Sequence, residues 1–383
     1  MRTLIAAGVL VLLSAGLGCR RSEPSARAPM VLVVPLGSSQ DYWKTIRVGA
    51  SEEARRLGVS LQWPSAFDES RLESQWMILD QARAVAEAER RTLAVALAPL
   101  DREAFVEPAT ILQDSGIPVV VFDTDLAGDD FLTAFSTDNE QAGRAAGEEM
   151  ARQLGGRGNV AVLRVNPISE STKLREKGFL EVMAQQPGIT IVSKDLYASS
   201  LVERAFQQGL VLLARMASRG IALDGVFCPN ESTSTGMLRA LESRRLAGRV
   251  KLVAFDRTQR LVNALWHGRI AALVVQDPYE MGRRSVKALV DYLAVAQELG
   301  PLRRADPVEY HRRVRAMFPR TSPITFRIAT RQDLVSSREI ARAMGVTTMG
   351  PYQVSALVDR RTPADADAID LLRLLFPKVA VAH

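Results

Sequence analysis

The sequence predicts an α/β fold made of two doubly wound parallel-sheet units, and three observations carry that prediction. From Met30 onward, short β-branched runs alternate without break with longer segments of helical period. About ten such runs are too many for one sheet of ordinary size, so they divide between two. Several of the runs also end in a polar side chain, as in "IPVVVFDTD", "KLVAFDRT" and "ALVVQDPYEMG". In open parallel sheets ligands lie outside the carboxyl ends of the strands, so such endings point to a site.

The first four strands fall at Val31 to Val34, Val59 to Trp63, Leu93 to Leu97 and Ile117 to Phe122. Between the first two, Trp43, Ile46, Ala50, Ala54 and Leu57 share one helical face. The break between the units falls in "FLTAFSTDNEQAGRAAGEEM". A short strand there leads into Asp138, which can cap a helix, with Gln141 three residues on as in a capping box. Further strands follow at Val160 to Val165, Ile189 to Val192, Gly225 to Cys228, Leu252 to Phe255 and Leu273 to Val275. Strand and helix in strict turn imply parallel sheets covered on both faces. Asp123, Asn230, Asp256 and Gln276 then stand at strand ends. The competing reading for any one of them is a helix cap or a turn.

Composition excludes several classes of function. Of 383 residues, 24% are charged and 47% hydrophobic, an ordinary globular balance. The net charge of +6 is spread among interspersed acids and bases without an aromatic-studded basic stripe, so nucleic acid is not an expected partner. His267, His311 and His383 are scattered and no cysteine pair stands at ligand spacing, which predicts no metal and no cofactor. There is no Ser/His/Asp set in a suitable context and no phosphate-cradling glycine motif, so catalysis is not expected.

The amino terminus reads as an export signal over residues 1–18, with an apolar run from Leu4 to Leu13 that is short for a membrane span. "GLGC" resembles a bacterial lipobox, in which Cys19 is acylated. Gly16 and Leu17 stand where that motif usually has leucine and then a small residue. Residues 19–29 read as a tether behind the lipid anchor, and with Cys228 the one cysteine left no internal disulfide is possible.

The chain resembles the periplasmic sugar-binding proteins of the ribose- and galactose-binding type, which are related to the effector domains of lactose-repressor-like regulators. The stretches that carry the resemblance are "VPLGSSQDYWKTIRVGA", "GIPVVVFDTDL", "STDNEQAGRAAGEEMARQLGGRGNVAVL", "LREKGF", "DGVFCPNESTSTGMLRAL", "LVAFDRT" and "GRIAALVVQDPYEMGRRSVKAL". It covers about residues 30 to 297, with a weaker echo at "ITFRIATRQDLVS". It implies two lobes joined by a three-segment hinge, closing on a ligand between them. The implied limits are 30–135 with about 277–322 for the first lobe, 136–276 with about 323–340 for the second, and an extension over 341–383.

The resemblance also implies the site. Gln40, Tyr42 and Trp43 match the polar residue and aromatic pair after the first strand, with a core role the alternative for both aromatics. Asp123 matches the acid after the fourth strand, Arg175 the arginine that reaches the sugar from the other lobe, and Asn230, Asp256 and Gln276 the remaining polar ligands. Thr124 stands where ribose-binding members carry an arginine, and Ala98 where they carry an asparagine. Ser200 falls where an aromatic would cap the ring, with Tyr197 nearby to substitute, and Glu231 replaces an aspartate. The site has thus lost a cation and kept its acids, so a sugar other than ribose, a polyol or a ligand carrying an amine is compatible.

The function implied is an extracytoplasmic, monomeric solute-binding lipoprotein, periplasmic or on the cell surface, that delivers a sugar or polyol to ABC permease subunits. The alternative is a sensory protein presenting its ligand to a membrane receptor or histidine kinase. A DNA-bound regulator is disfavoured, because an export signal occupies the place of the helix-turn-helix. Beyond the match, residues 298–323 contain the stretch "PLRRADPVEYHRRVRAMFPR", which holds six arginines against one Asp and one Glu. They read as a helical insertion in one lobe or as a patch for acidic headgroups or a partner. In the tail, Leu372 and Phe376 lie on an amphipathic helix expected to dock on the body.

Overall fold

The computed structural model describes residues 28–64 and 71–333. The signal segment, Cys19 and the extension 341–383 with Leu372 and Phe376 lie outside the described residues. The first lobe carries β1 (Met30–Val34), α1 (Asp41–Leu57), β2 (Ser60–Gln62), α2 (Leu72–Ala88), β3 (Leu93–Leu97), α3 (Val106–Asp114), β4 (Val119–Phe122) and β5 (Ala134–Phe135). Its sheet has the order β2-β1-β3-β4-β5, parallel throughout.

The chain then crosses into α4 (Asn139–Leu154), β6 (Arg157–Arg164), α5 (Glu170–Ala184), β7 (Gly188–Tyr197), α6 (Val202–Ser218), β8 (Gly225–Phe227), α7 (Glu231–Ser243), β9 (Lys251–Phe255), α8 (Gln259–Trp266) and β10 (Ala272–Gln276). It returns through α9 (Pro278–Glu298), α10 (Gly300–Ala305) and α11 (Pro307–Met317), and crosses again to β11 (Phe326–Thr330). The second sheet has the order β11-β10-β9-β8-β6-β7. One feature departs from the strictly parallel expectation: β11, the faint echo in the sequence, pairs antiparallel with β10. An antiparallel edge strand on a parallel sheet is a common arrangement. Strand limits also shift. Pairing begins at Val119 rather than Ile117, and β7 runs on to Tyr197 past the predicted end at Val192.

The unbroken apolar runs have a direct cause. Each sheet is covered on both faces, so alternate side chains of one strand enter different cores. Val31 and Val33 pack with Trp43, Ile46 and Ala50 of α1 and with α9, while Met30, Leu32 and Val34 pack on the side of α2 and α3. The second lobe repeats the layering, with α4 and α5 on one face and α6, α7 and α8 on the other.

Two helix pairs approach closely through glycine. A Cβ on Gly49 of α1 would stand 2.1 Å from the Tyr279 carbonyl oxygen of α9, and one on Gly143 of α4 would stand 2.1 Å from the Arg175 carbonyl oxygen of α5. Neither position has room for a side chain.

The inserted helices belong to the first lobe, where Tyr310, Val314 and Phe318 enter the core beside α9. Most of the insertion's arginines have partners. Arg312 and Arg313 pair with Glu309, Arg315 donates to the carbonyls of Asp129, Phe131 and Leu132, and Arg320 pairs with Asp129. Arg315 and Arg320 fasten the insertion and the loop around Asp129 together, which weakens the case for a free basic patch. The three crossing segments touch one another. Ala134 bridges to Thr321, Thr137 bridges to Ile324, and the Thr137 hydroxyl donates to Gln276 Oε1 at 2.6 Å.

Candidate functional site

A cavity of about 110 Å³ lies between the lobes at the carboxyl ends of both sheets. All nine residues proposed from the sequence line it: Gln40, Tyr42, Trp43, Asp123, Thr124, Arg175, Asn230, Asp256 and Gln276. The loop after β6, from Val165 to Ser169, and the first turn of α5 also contribute, as do Pro99, Leu100, Ser200 and Glu231.

The second-lobe wall is a continuous polar network centred on Arg175, which is 3% exposed. Its guanidinium lies 3.9 Å from the centroid of the Phe255 ring. Its Nε donates to Asn139 Oδ1 at 2.8 Å, Nη1 to the Pro229 carbonyl at 2.9 Å and Nη2 to Gln276 Oε1 at 3.1 Å. Asp256 lies 4.0 Å from Nη1, an ion pair through space rather than a hydrogen bond. Its carboxylate accepts from Gln276 Nε2 at 2.6 Å and from the Glu231 backbone N–H at 3.0 Å.

Asp256 is buried and bonded to the first N–H of α7, because β9 ends directly beside that helix start. Asp256 does not cap the helix that follows it; Thr258 does, accepting from Leu261 N at 3.1 Å. Burial is the main force raising its carboxyl above the ordinary range, and Arg175 opposes it.

Asn230 behaves as the capping alternative predicts. Its Oδ1 accepts from Thr233 N at 3.0 Å in a complete capping box, which leaves the amide nitrogen for other work. Asp138 likewise caps α4 through Gln141 N, and Asp277 caps α9 through Glu280 N.

The first-lobe wall is sparser. Tyr42 and Trp43 meet edge to face with centroids 4.9 Å apart. Both belong to the core beneath the cavity while also lining it. The Tyr42 hydroxyl donates to Asp123 Oδ1 at 2.5 Å. Among the described residues no hydrogen bond reaches Asp123 Oδ2 and no cation lies within ion-pair distance. Burial raises this carboxyl to about 6. Thr124 is buried beside it. Ala98, where an asparagine was the family norm, is fully buried in the core and brings no polar group.

Sequence reasoning noted Glu231 only as a replaced acid and missed its position. Helix α1 begins without a side-chain cap of its own. Glu231 of the other lobe supplies one: its Oε1 accepts from Asp41 N at 3.1 Å and its Oε2 from Tyr42 N at 3.0 Å. The helix N-terminus favours the anion there, but burial is stronger and raises the carboxyl to about 7. Gln40 adds a second link between the lobes, donating to Ser232 Oγ at 2.8 Å. The suggestion that Tyr197 substitutes for a ring-capping aromatic at Ser200 is corrected. Tyr197 is exposed, lies under the Arg164 guanidinium and does not line the cavity.

Known proteins resemble this chain over the same span. The D-allose-binding periplasmic protein of Escherichia coli is 23% identical over 72% of this chain and 88% of its own length. A ribose import binding protein of Haemophilus influenzae is 27% identical over 69% of this chain and 85% of its own. Among solved structures, the periplasmic component of an ABC-type sugar transport system from Hahella chejuensis is 30% identical, with a TM-score of 0.65 over 79% of this chain and 99% of that one. An ABC transporter solute-binding protein from Agrobacterium vitis, bound with α-D-tagatopyranose, is 25% identical with a TM-score of 0.67 over 82% and 98%. The model of the periplasmic binding protein domain matches residues 30–298, and the chain belongs to that family of binding proteins.

Proposed function

We propose that the chain is an extracytoplasmic solute-binding protein that takes a sugar or sugar-like polyol into the cleft between its lobes and delivers it to an ABC importer. The observation that carries this reading is the cavity lining, with the aromatics Tyr42 and Trp43 on one side and carboxylates, amides and a guanidinium around the rest. A sugar ring has apolar C–H faces that pack on aromatic rings and a rim of hydroxyls that each want a donor and an acceptor. In this reading Gln40, Asp123, Thr124, Arg175, Asp256 and Gln276 form the hydrogen-bonding rim, and Asn230 contributes its amide nitrogen. A wrong hydroxyl leaves one of these buried groups unpaired, which is how such a site discriminates.

The names of relatives that bind allose, ribose or tagatose support the reading. Residues 30–135 with about 277–322 form one lobe and 136–276 with about 323–340 the other. The chain works as a monomer in the periplasm or at the cell surface, and Cys19 carries the lipid that holds it to the membrane. The test is a thermal-shift screen across aldoses, ketoses and alditols. A ligand that binds only the native state raises the melting temperature, and at least one of these is expected to do so. A folded protein that none of them stabilises would overturn the reading.

A further inference from the structure

The carboxylates that line the cavity differ in how their charge is met. Asp256 has Arg175 at 4.0 Å together with two hydrogen-bond donors. Glu231 has the two leading N–H groups of α1. Glu170, at the rim, has Lys173 at 2.6 Å. Asp123 has a neutral hydroxyl on one oxygen, and among the described residues nothing on the other. It is 5% exposed, and its neighbour in the chain is the uncharged Thr124.

Arg175 is not available to swing across, since Asn139, Pro229 and Gln276 hold its three nitrogens. The nearby guanidinium of Arg257 acts on Asp41 and Glu231 and is not part of the cavity wall. Arg175 reaches Asp123 only through space, beyond ion-pair distance, and a buried carboxylate without a cation in contact is costly, so the enclosed space beside Asp123 lacks one positive charge.

We infer that the ligand brings that charge: the solute is a sugar or polyol carrying a protonated amine, which sits on Asp123 Oδ2. This rests on the solute-binding reading above and narrows it. A neutral ring would still find hydroxyl acceptors here, but it would leave Asp123 without a counter-charge. An ammonium meets it with a charge-assisted hydrogen bond, for which about a tenfold to hundredfold gain in affinity is expected.

The experiment is calorimetric titration of the whole protein with glucose, galactose and mannose, each compared with its 2-amino-2-deoxy form and its N-acetylated form. At least one amine is expected to bind about tenfold or more tighter than its parent and its neutral acetylated form. Asp123→Asn should erase that preference, so that within the variant each amine binds no tighter than its neutral parent. Thr124→Arg, which supplies the missing cation from the protein, should reverse it, and so provides the test if Asp123→Asn does not fold.

Parents binding as tightly as their amines would overturn the inference and leave the solute-binding reading standing. A folded protein that binds no amine of the panel would overturn the inference, while the solute-binding reading stands or falls on the broader screen of aldoses, ketoses and alditols. An amine preference that survives both substitutions would overturn the assignment to Asp123.

Discussion

Asp123 and Asp256 leave corresponding strands of the two lobes, each directly after a phenylalanine and each in the left-handed backbone region at φ 67°. Aspartate is among the few residues with side chains that enter this region readily, and both strand exits use it to turn the chain at the cavity wall. The surroundings of the two acids then part company. Asp256 sits in a network that ties α7, β10 and α5 together through Glu231 N, Gln276 and Arg175. Asp123 touches one hydroxyl, from the aromatic layer of its own lobe. The same local motif has thus produced one half-site whose polar groups satisfy each other and one whose acid is left open. On the proposed reading, the first kind contributes stability and shape to the cleft, and the second leaves binding capacity to a ligand.

The largest effect on this contrast should come from Arg175→Ala. It leaves Asp256 buried without its cation and strips donors from Asn139, the Pro229 carbonyl and Gln276 together. Removing one partner from a buried ionic network costs about 3 to 5 kcal/mol, to be read from the urea midpoint at constant m-value. A loss below about 1 kcal/mol would mean that the second-lobe wall is not the self-supporting half.

The next effect belongs to Glu231, which joins the two halves, and it is a pH effect. Its carboxyl is raised from the ordinary 4.5 to about 7, chiefly by burial. A carboxyl with a raised native pKa binds its proton more tightly when folded, so its contribution is fully present below about 4.5 and is lost as pH rises towards about 7. Asp123, raised to about 6, acts in the same direction. At about 1.4 kcal/mol per pH unit, Glu231 accounts for at most about 3.5 kcal/mol of decline across that window. Glu231→Gln keeps an acceptor for the α1 N–H groups and removes the titration. The variant should therefore lose less stability than wild type between pH 4.5 and 7.5. Parallel stability curves for the two proteins would show that Glu231 is not a buried link between the lobes.

Much of this was legible in the sequence, for a physical reason. Runs such as Val119 to Phe122 and Lys251 to Phe255 are buried on both faces, so composition alone marks them as strands. Chain connectivity then fixes which end faces the cleft. What could not be read is which polar group meets which. Gln40 reaches Ser232 and Glu231 reaches Tyr42 across more than 180 positions of sequence, and no local pattern encodes those pairs. The caps were the opposite case. Asn230 and Asp138 act on N–H groups three residues away, so the capping alternative was visible in the sequence and holds in the structure. The partner of Asp256 was not legible, because the N–H it accepts from belongs to a helix start earlier in the chain. Strand β11 was faint because a short, half-exposed edge strand carries little apolar signal.

The smallest effect on stability, and the sharpest for the comparison, comes from the matched pair Asp256→Ala and Asp123→Ala measured at one pH near 7.5. Asp256→Ala removes the acceptor for Gln276 Nε2 and Glu231 N in a buried setting, and unpaired donors there cost about 1 to 3 kcal/mol. Asp123→Ala removes the acceptor of a single hydroxyl that borders the cavity, and with it a carboxylate that burial already disfavours. The two terms oppose, so its unfolding free energy should change by about 1 kcal/mol or less. Affinity for a bound solute separates the pair in the other sense. Asp123→Ala should lose about tenfold to a hundredfold with folding intact, whereas any loss in Asp256→Ala comes together with a lowered melting temperature. Equal stability losses in the two variants would mean that the open oxygen of Asp123 is not open in solution, and the division of the cleft into a built half and an open half would fall with it.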